Sequence, residues 1–528
     1  MTQIKIYTRK PTEDYTNSLA NSAHFALSDG GEFMSLNKNY GVLFAEGIID
    51  GRNVIIEKGL TNPQVFKVCD KTFAVTARRV EKCGKIDASC GEKVLFWTTE
   101  DFIRFKYHGL AEKSGTKLVL PEDEEKNGAG LAAGIPQRVE SDNAFARDYD
   151  CESASDTVCV SAEIANRVKE HYFPEAPSIP SADREITFRR ESRSLPSENK
   201  NKILENVLRR EYTPAKTYDF PLAVGYADPV VFGWNKKYYF IATNDNTNAV
   251  GLFAREADTV EGLFAPDVKE HVILPYNEVK GFIQTFWAPE LHEIAGQVYV
   301  LFAVGGRRWS PQSFVMKLKN GGSIVNPDDW EEPLRVKKAD GTNLTEDGIT
   351  LDMTYFGEGG RHFVSWSFRK DINAPTDTGS MLYIAEIEAG TPHILKSEPV
   401  LLSRPLFGWE NIQGTINNEG SFPLITKDKV YLAYSGGAAG GYTYAVGLLS
   451  IKKGGDYLDP AAWEKLPCPL LSYYSFPGEY GPGHNSFFQD GEGNTFIAYH
   501  AQQKIGRTAR CTAIRQVLFR KNGEPFVV

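Results

Sequence analysis

With 528 residues the chain is too long for one ordinary domain, and length alone suggests about three. A hydrophobic content of 41% is that of a globular protein, and no apolar run reaches the roughly 18 residues of a membrane span, so no membrane helix is expected. A net charge of −9 without a basic stripe argues against a nucleic-acid partner.

The N-terminal residues lack an apolar core of signal-peptide length, which gives a cytoplasmic expectation. Seven cysteines, an odd number with no CxxC pair, fit reduced thiols in that compartment. The spacing of Cys83, Cys90, Cys151 and Cys159 is too irregular for a convincing zinc site.

Residues 1–120 read as an accessory β domain. Asp29-Gly30-Gly31 marks a hairpin, and Val65 to Ala77 reads as strand, turn and strand. Residues 121–217 read as a polar loop, a small β module around Thr157 to Ser161, a short helix over Ala162 to Glu170, and a linker helix over Lys202 to Arg210. The remainder, 218–528, is organised by a repeat.

The repeat is an apolar strand, a polar turn and a second apolar strand. Copies begin near Tyr226, Ala288, Leu351, Asn418 and Gly483. The heads of the copies carry Asp228, Glu290, Asp352, Glu419 and His484, spaced by 62, 62, 67 and 65 residues. Self-similarity at a fixed period marks a repeat architecture. Five copies predict a ring of four-stranded blades, in which residues of one phase on the innermost strands converge near the axis.

Converging carboxylates have three uses. They bind a hard cation, they pair structurally with arginines and amides, or they perform acid/base work on a glycosidic bond. The last requires one protonated and one ionised group, and so neighbours that push their pKa values apart. The chain is 12% aromatic, which suits stacking on sugar rings as well as β-core packing.

Over 218–528 the motifs resemble the family 43 glycoside hydrolases, which are five-bladed β-propellers. The segments that carry the resemblance are Ala227-Asp228-Pro229, Phe286-Trp287-Ala288-Pro289-Glu290, Leu351-Asp352, Asn418-Glu419-Gly420, Gly481 to Ser486 and Tyr499-His500-Ala501. The resemblance implies a five-bladed propeller over 218–528, and with the strands read upstream the expected chain is all-β, the propeller preceded by an accessory, mainly β region. It implies Asp228 as general base, Glu419 as general acid and Asp352 as modulator of the acid's pKa. Here Ser421 follows Gly420 where the family often has proline, which leaves Glu410 as a competing acid.

Trp287 is the expected sugar-stacking wall, and Arg507 and Arg510 the expected substrate donors. His484 is expected to support a calcium or water cluster, with no cofactor required for the reaction. Glu290 is expected to be structural or to support the site from behind the reacting residues. The implied activity is inverting, exo-acting hydrolysis of arabinose- or xylose-containing oligosaccharides, with α-L-arabinofuranosidase ahead of β-xylosidase and of a non-catalytic sugar-binding propeller. The sequence leaves the oligomeric state open.

Overall fold

The computed structural model describes residues 2–69, 71–114, 117–119, 156–173, 188–192, 206–210, 216–307, 310–412, 416–506 and 508–528. They fall into two compact units. The first comprises 1–48, 56–213 and 406–409, and the second 49–55, 214–405 and 410–528.

In the first unit, strands Gln3–Tyr7, His24–Ser28 and Met34–Ser35 form one antiparallel sheet, with Asp29 to Gly31 inside the turn between the last two. Asp156–Cys159 joins this sheet at its edge, pairing with Gln3–Tyr7. The separate β module expected there is therefore an edge strand of the N-terminal sheet, a pairing too distant in sequence to be read locally. A second sheet is built from Lys58–Lys67, Phe73–Glu81, Val94–Thr99, Lys106–Ser114 and Lys117–Val119.

The helix Ala162–Tyr172 forms as expected. Ser161 caps it by accepting the N–H of Ile164, and Ile164, Ala165 and Val168 bury its apolar face. Over its described residues, 206–210, the expected linker helix does not form. Asn206–Arg210 is a strand paired with Phe188–Ser192, so partnering across a ladder overrides local helical preference.

The second unit holds five successive antiparallel sheets. Their first strands are Tyr226–Trp234, Gln284–Ile294, Gly348–Glu358, Asn418–Ile425 and Tyr480–Gln489. Each touches the next, and the fifth touches the first. In the fifth sheet the outer strand Cys511–Phe519 also pairs with Ala223–Val224, so the start of the repeat region completes the last sheet.

Alternation explains why the sheets need one another. In the second strand of sheet one, Tyr239 and Ile241 enter a core with Leu291 and Val300 of sheet two. Phe240 and Ala242 enter another with Phe488 and Phe496 of sheet five. In sheet two, Val300 and Phe302 face one way, while Tyr299 and Leu301 pack with Met353 and Trp366 of sheet three. Successive side chains point to opposite faces, and both faces are covered. Each such buried side chain contributes about 1.5–3 kcal/mol, and a sheet alone would forfeit that on both sides.

Candidate active site

Each first strand breaks register at the same place. Shifts fall between Ala227 and Val230, Trp287 and Glu290, Leu351 and Thr354, Glu419 and Phe422, and Gly483 and Ser486. Within each bulge one residue has positive φ: Asp228 at 54°, Ala288 at 45°, Asp352 at 56°, Gly420 at 57° and His484 at 49°. A bulge re-aims the side chain it carries. Holding non-glycine residues there costs about 1–3 kcal/mol each, a strain that concentrates at functional sites.

This corrects the expected phase. The residues equivalent to Asp228, Asp352 and His484 are Ala288 and Gly420, not Glu290 and Glu419. Glu419 precedes its bulge and Glu290 follows its own, because the extra residue of a bulge leaves no trace in the apolar pattern. Gly420 is required twice over. Its φ is positive, and a Cβ there would lie 2.9 Å from the His484 ring.

Asp228 is buried. Its Oδ2 accepts the Thr243 hydroxyl at 2.5 Å, and its backbone N–H donates to Nδ1 of His500 at 3.2 Å. Its Oδ1 lies 3.2 Å from Nδ1 of His484 and of His500, and 3.6 Å from Nη1 of Arg510. Burial alone would raise its pKa. The neighbouring His484, Arg510 and His500 outweigh that and hold the carboxyl far below the usual range. Burial also keeps His484 down at about 4, so its ring is neutral at pH 7 and the lasting counter-charge is Arg510. Asp245 holds that guanidinium through two bonds of 2.9 and 2.6 Å.

Asp352 is set the other way. Burial, then the charges of Glu419 and Asp228, push its carboxyl well up, against hydrogen bonds to its Oδ2 from the Ser367 hydroxyl at 3.0 Å and the Gly420 N–H at 3.2 Å. Glu419 accepts the Tyr444 hydroxyl at 2.8 Å. Burial and the nearby Asp228 outweigh that bond and raise it to about 7. Three carboxyl groups thus share one field, one firmly ionised and two held toward protonation.

The other expected residues divide. Trp287 is half-buried, whereas Phe286 beside it is inside the core. Arg510 reaches the carboxylates, and Arg507 lies outside the described residues. Glu290 pairs with Nε2 of His292 at 2.7 Å. Burial raises the Glu290 carboxyl well up and lowers His292 to about 3, so both groups are shifted toward their neutral forms.

Glu410, the competing acid, is fully buried elsewhere. It accepts from Asn418 Nδ2 and the Tyr434 hydroxyl at 2.8 Å each, and Lys465 Nζ lies 2.7 Å away. It props the strand that carries Glu419. Lys465→Met, which strands this buried charge, is expected to cost about 3 kcal/mol, read by urea denaturation.

His484 Nε2 is buried without a hydrogen-bond partner. Calcium takes about six to eight oxygen ligands. Among the described residues no group of three His, Cys, Asp or Glu side chains could hold a metal. The residues present therefore do not form a protein cage for calcium. Cys83, Cys90, Cys468 and Cys511 are free thiols, and Cys151 lies outside the described residues.

Sequence reasoning gave no role to Thr243, Ser367, Tyr444, His500 or Asp245. His500 stood inside a motif already singled out. A hydroxyl residue in a strand resembles any other, and Tyr444 has no local signal at all.

The model of the glycosyl hydrolases family 43 matches residues 219–525. A protein of Pyricularia oryzae named alpha-L-arabinofuranosidase B is 30% identical over 327 residues, which are 59% of this chain and 63% of that protein. The chain thus spans less than two thirds of that relative's length. A Streptomyces chartreusis protein named extracellular exo-alpha-(1->5)-L-arabinofuranosidase is 31% identical over 54% of this chain and 83% of its own. The crystal structure of an alpha-L-arabinofuranosidase from Lactobacillus brevis superposes with a TM-score of 0.51 at 27% identity, covering 58% of this chain and 95% of that one. The cytoplasmic expectation is overturned by names. Both this Streptomyces relative and a second, from Streptomyces avermitilis, are called extracellular. With the family match covering more than half its length, the chain belongs to family 43 of the glycosyl hydrolases.

Proposed function

We propose that the second unit is a five-bladed β-propeller that acts outside the cell as an exo-acting α-L-arabinofuranosidase on arabinose-containing carbohydrate. The observation that carries this is the opposed setting of the carboxyls. Asp228 is held ionised while Glu419 is raised to about 7. Two carboxyls driven apart in this way are what acid/base glycoside hydrolysis needs. The relatives named arabinofuranosidases support the choice of sugar.

In this reading Asp228 takes a proton from water as the oxygen attacks the anomeric carbon. The C–O bond to the leaving group breaks, and Glu419 gives its proton to the departing oxygen. Burial and the charge of Asp228 keep Glu419 protonated, while Asp352, itself held toward protonation, fixes the Gly420 backbone beside it. Trp287 stacks on the sugar, and Arg510 both balances Asp228 and donates to the substrate. Attack by water opposite the leaving group inverts the anomeric centre, a geometry that needs a carboxyl gap of about 6.5–9.5 Å.

The test is hydrolysis of nitrophenyl α-L-arabinofuranoside and nitrophenyl β-D-xyloside by wild type and Glu419→Ala, with the first-formed anomer followed by NMR. Arabinoside cleavage with an inverted product is expected. Preference for the xyloside would move the assignment to β-xylosidase. Cleavage of neither these nor natural pentose oligosaccharides would leave a sugar-binding propeller.

A further inference from the structure

Opposite the residue that precedes each bulge, the second strands place Thr243, Ala303, Ser367, Ser435 and His500. Four of the five are polar, and their bonds follow two patterns. Ser435 Oγ accepts the N–H of His484 at 2.7 Å, and His500 accepts that of Asp228, each tying one sheet to the next sheet's bulge. Ser367 instead donates to Oδ2 of Asp352, in its own sheet.

Thr243 does both. It accepts the N–H of Ala288 at 2.8 Å and donates to Oδ2 of Asp228 at 2.5 Å. A hydroxyl has one proton to give. With the Ala288 N–H on its acceptor side, that proton is committed to Asp228, and donation into a chain of hydrogen bonds strengthens each link. Thr243 is 0% exposed, so water does not compete for either bond. Ala288 directly follows Trp287, so one hydroxyl spans the gap between the ionised carboxylate and the backbone bearing the aromatic wall.

We infer that Thr243 is a positioning residue, which fixes Asp228 relative to the sugar platform at Trp287 and occupies one carboxylate oxygen so that the other is left for the nucleophile. This rests on the reading of Asp228 as base. Oδ2 is occupied by Thr243, while Oδ1, buried beside His484, His500 and Arg510, accepts no hydrogen bond and is the oxygen left to take the proton of water. Thr243 itself touches no reacting atom. Its effect is on how often the bound sugar and the base are in register, a quantity that appears in kcat.

The experiment compares Thr243→Val, Thr243→Ala and Thr243→Ser with wild type and Asp228→Asn on nitrophenyl α-L-arabinofuranoside, measuring kcat, KM and thermal midpoint. Thr243→Val, which keeps shape and removes the hydroxyl, is expected to lose roughly 10- to 100-fold in kcat with KM held within about threefold. Thr243→Ser, which restores both hydrogen bonds, is expected within about threefold of wild type in kcat. Should the valine variant not fold, alanine against serine at matched midpoints makes the same comparison. A folded variant lacking the hydroxyl but retaining wild-type kcat overturns the inference. So does a serine variant as impaired as valine. If Asp228→Asn is fully active, the base reading itself fails. If Asp228→Asn is dead while Thr243→Val is unaffected, the positioning role alone fails.

Discussion

Asp228→Asn is expected to lower kcat by about 10²- to 10⁴-fold, the range over which a positioned general base contributes. Asparagine keeps the shape and can still accept the Thr243 hydroxyl, so the fold should hold. What disappears is the negative charge that takes a proton from water. Arg510 keeps its two bonds to Asp245 and is not left bare. The check is steady-state kinetics beside a thermal scan. A sharper arm is Asp228→Gly with added azide. The φ of 54° favours glycine, and the lost side chain leaves space for an anion that needs no base. Azide should restore turnover and yield a glycosyl azide of inverted configuration. An inactive variant that azide does not rescue, or a retained anomer, would contradict the assigned role.

Glu419→Gln is expected to cost about 10²- to 10⁴-fold on an arabinobiose, whose leaving oxygen needs a proton, and within about tenfold on a dinitrophenyl arabinoside, whose leaving group departs as a stable anion. Equal losses on both substrates would contradict the role of acid. The pH profile gives a second reading. Glu419 is raised to about 7 and must carry its proton to act. Wild-type kcat/KM should therefore be full below that pH and fall as pH rises through about 7. The glutamine variant should lack this fall. The Asp228 carboxyl stays ionised throughout, since its pKa lies far below the window.

The five copies and their acids were legible because a strand–turn–strand unit repeats its apolar pattern. The placement of those acids was not. In sequence Glu290 and Glu419 hold the same rank as Asp228, yet Ala288 and Gly420 occupy the strained positions. A bulge inserts a residue without disturbing the alternation on either side of it. The supporting hydroxyls were hidden for another reason. Thr243 and Ser367 sit in strands where their type is ordinary, and only register against the facing strand reveals what they hold. In the N-terminal region, Asp156–Cys159 finds its partner at Gln3–Tyr7, a long-range choice that local composition does not encode.

The short ladder between Ala223–Val224 and Cys511–Phe519 also joins Gly225 to Arg510, whose carbonyl accepts the Gly225 N–H at 2.9 Å. Asp228 lies just beyond one side of this clasp, and Arg510 stands on the other. Asp228 and Arg510 therefore meet only when the two ends of the repeat region are fastened together. Synthesis must pass Arg510 before this arrangement exists. Any event that opens this clasp first is expected to abolish the proposed hydrolysis while most of the sheets are still folded.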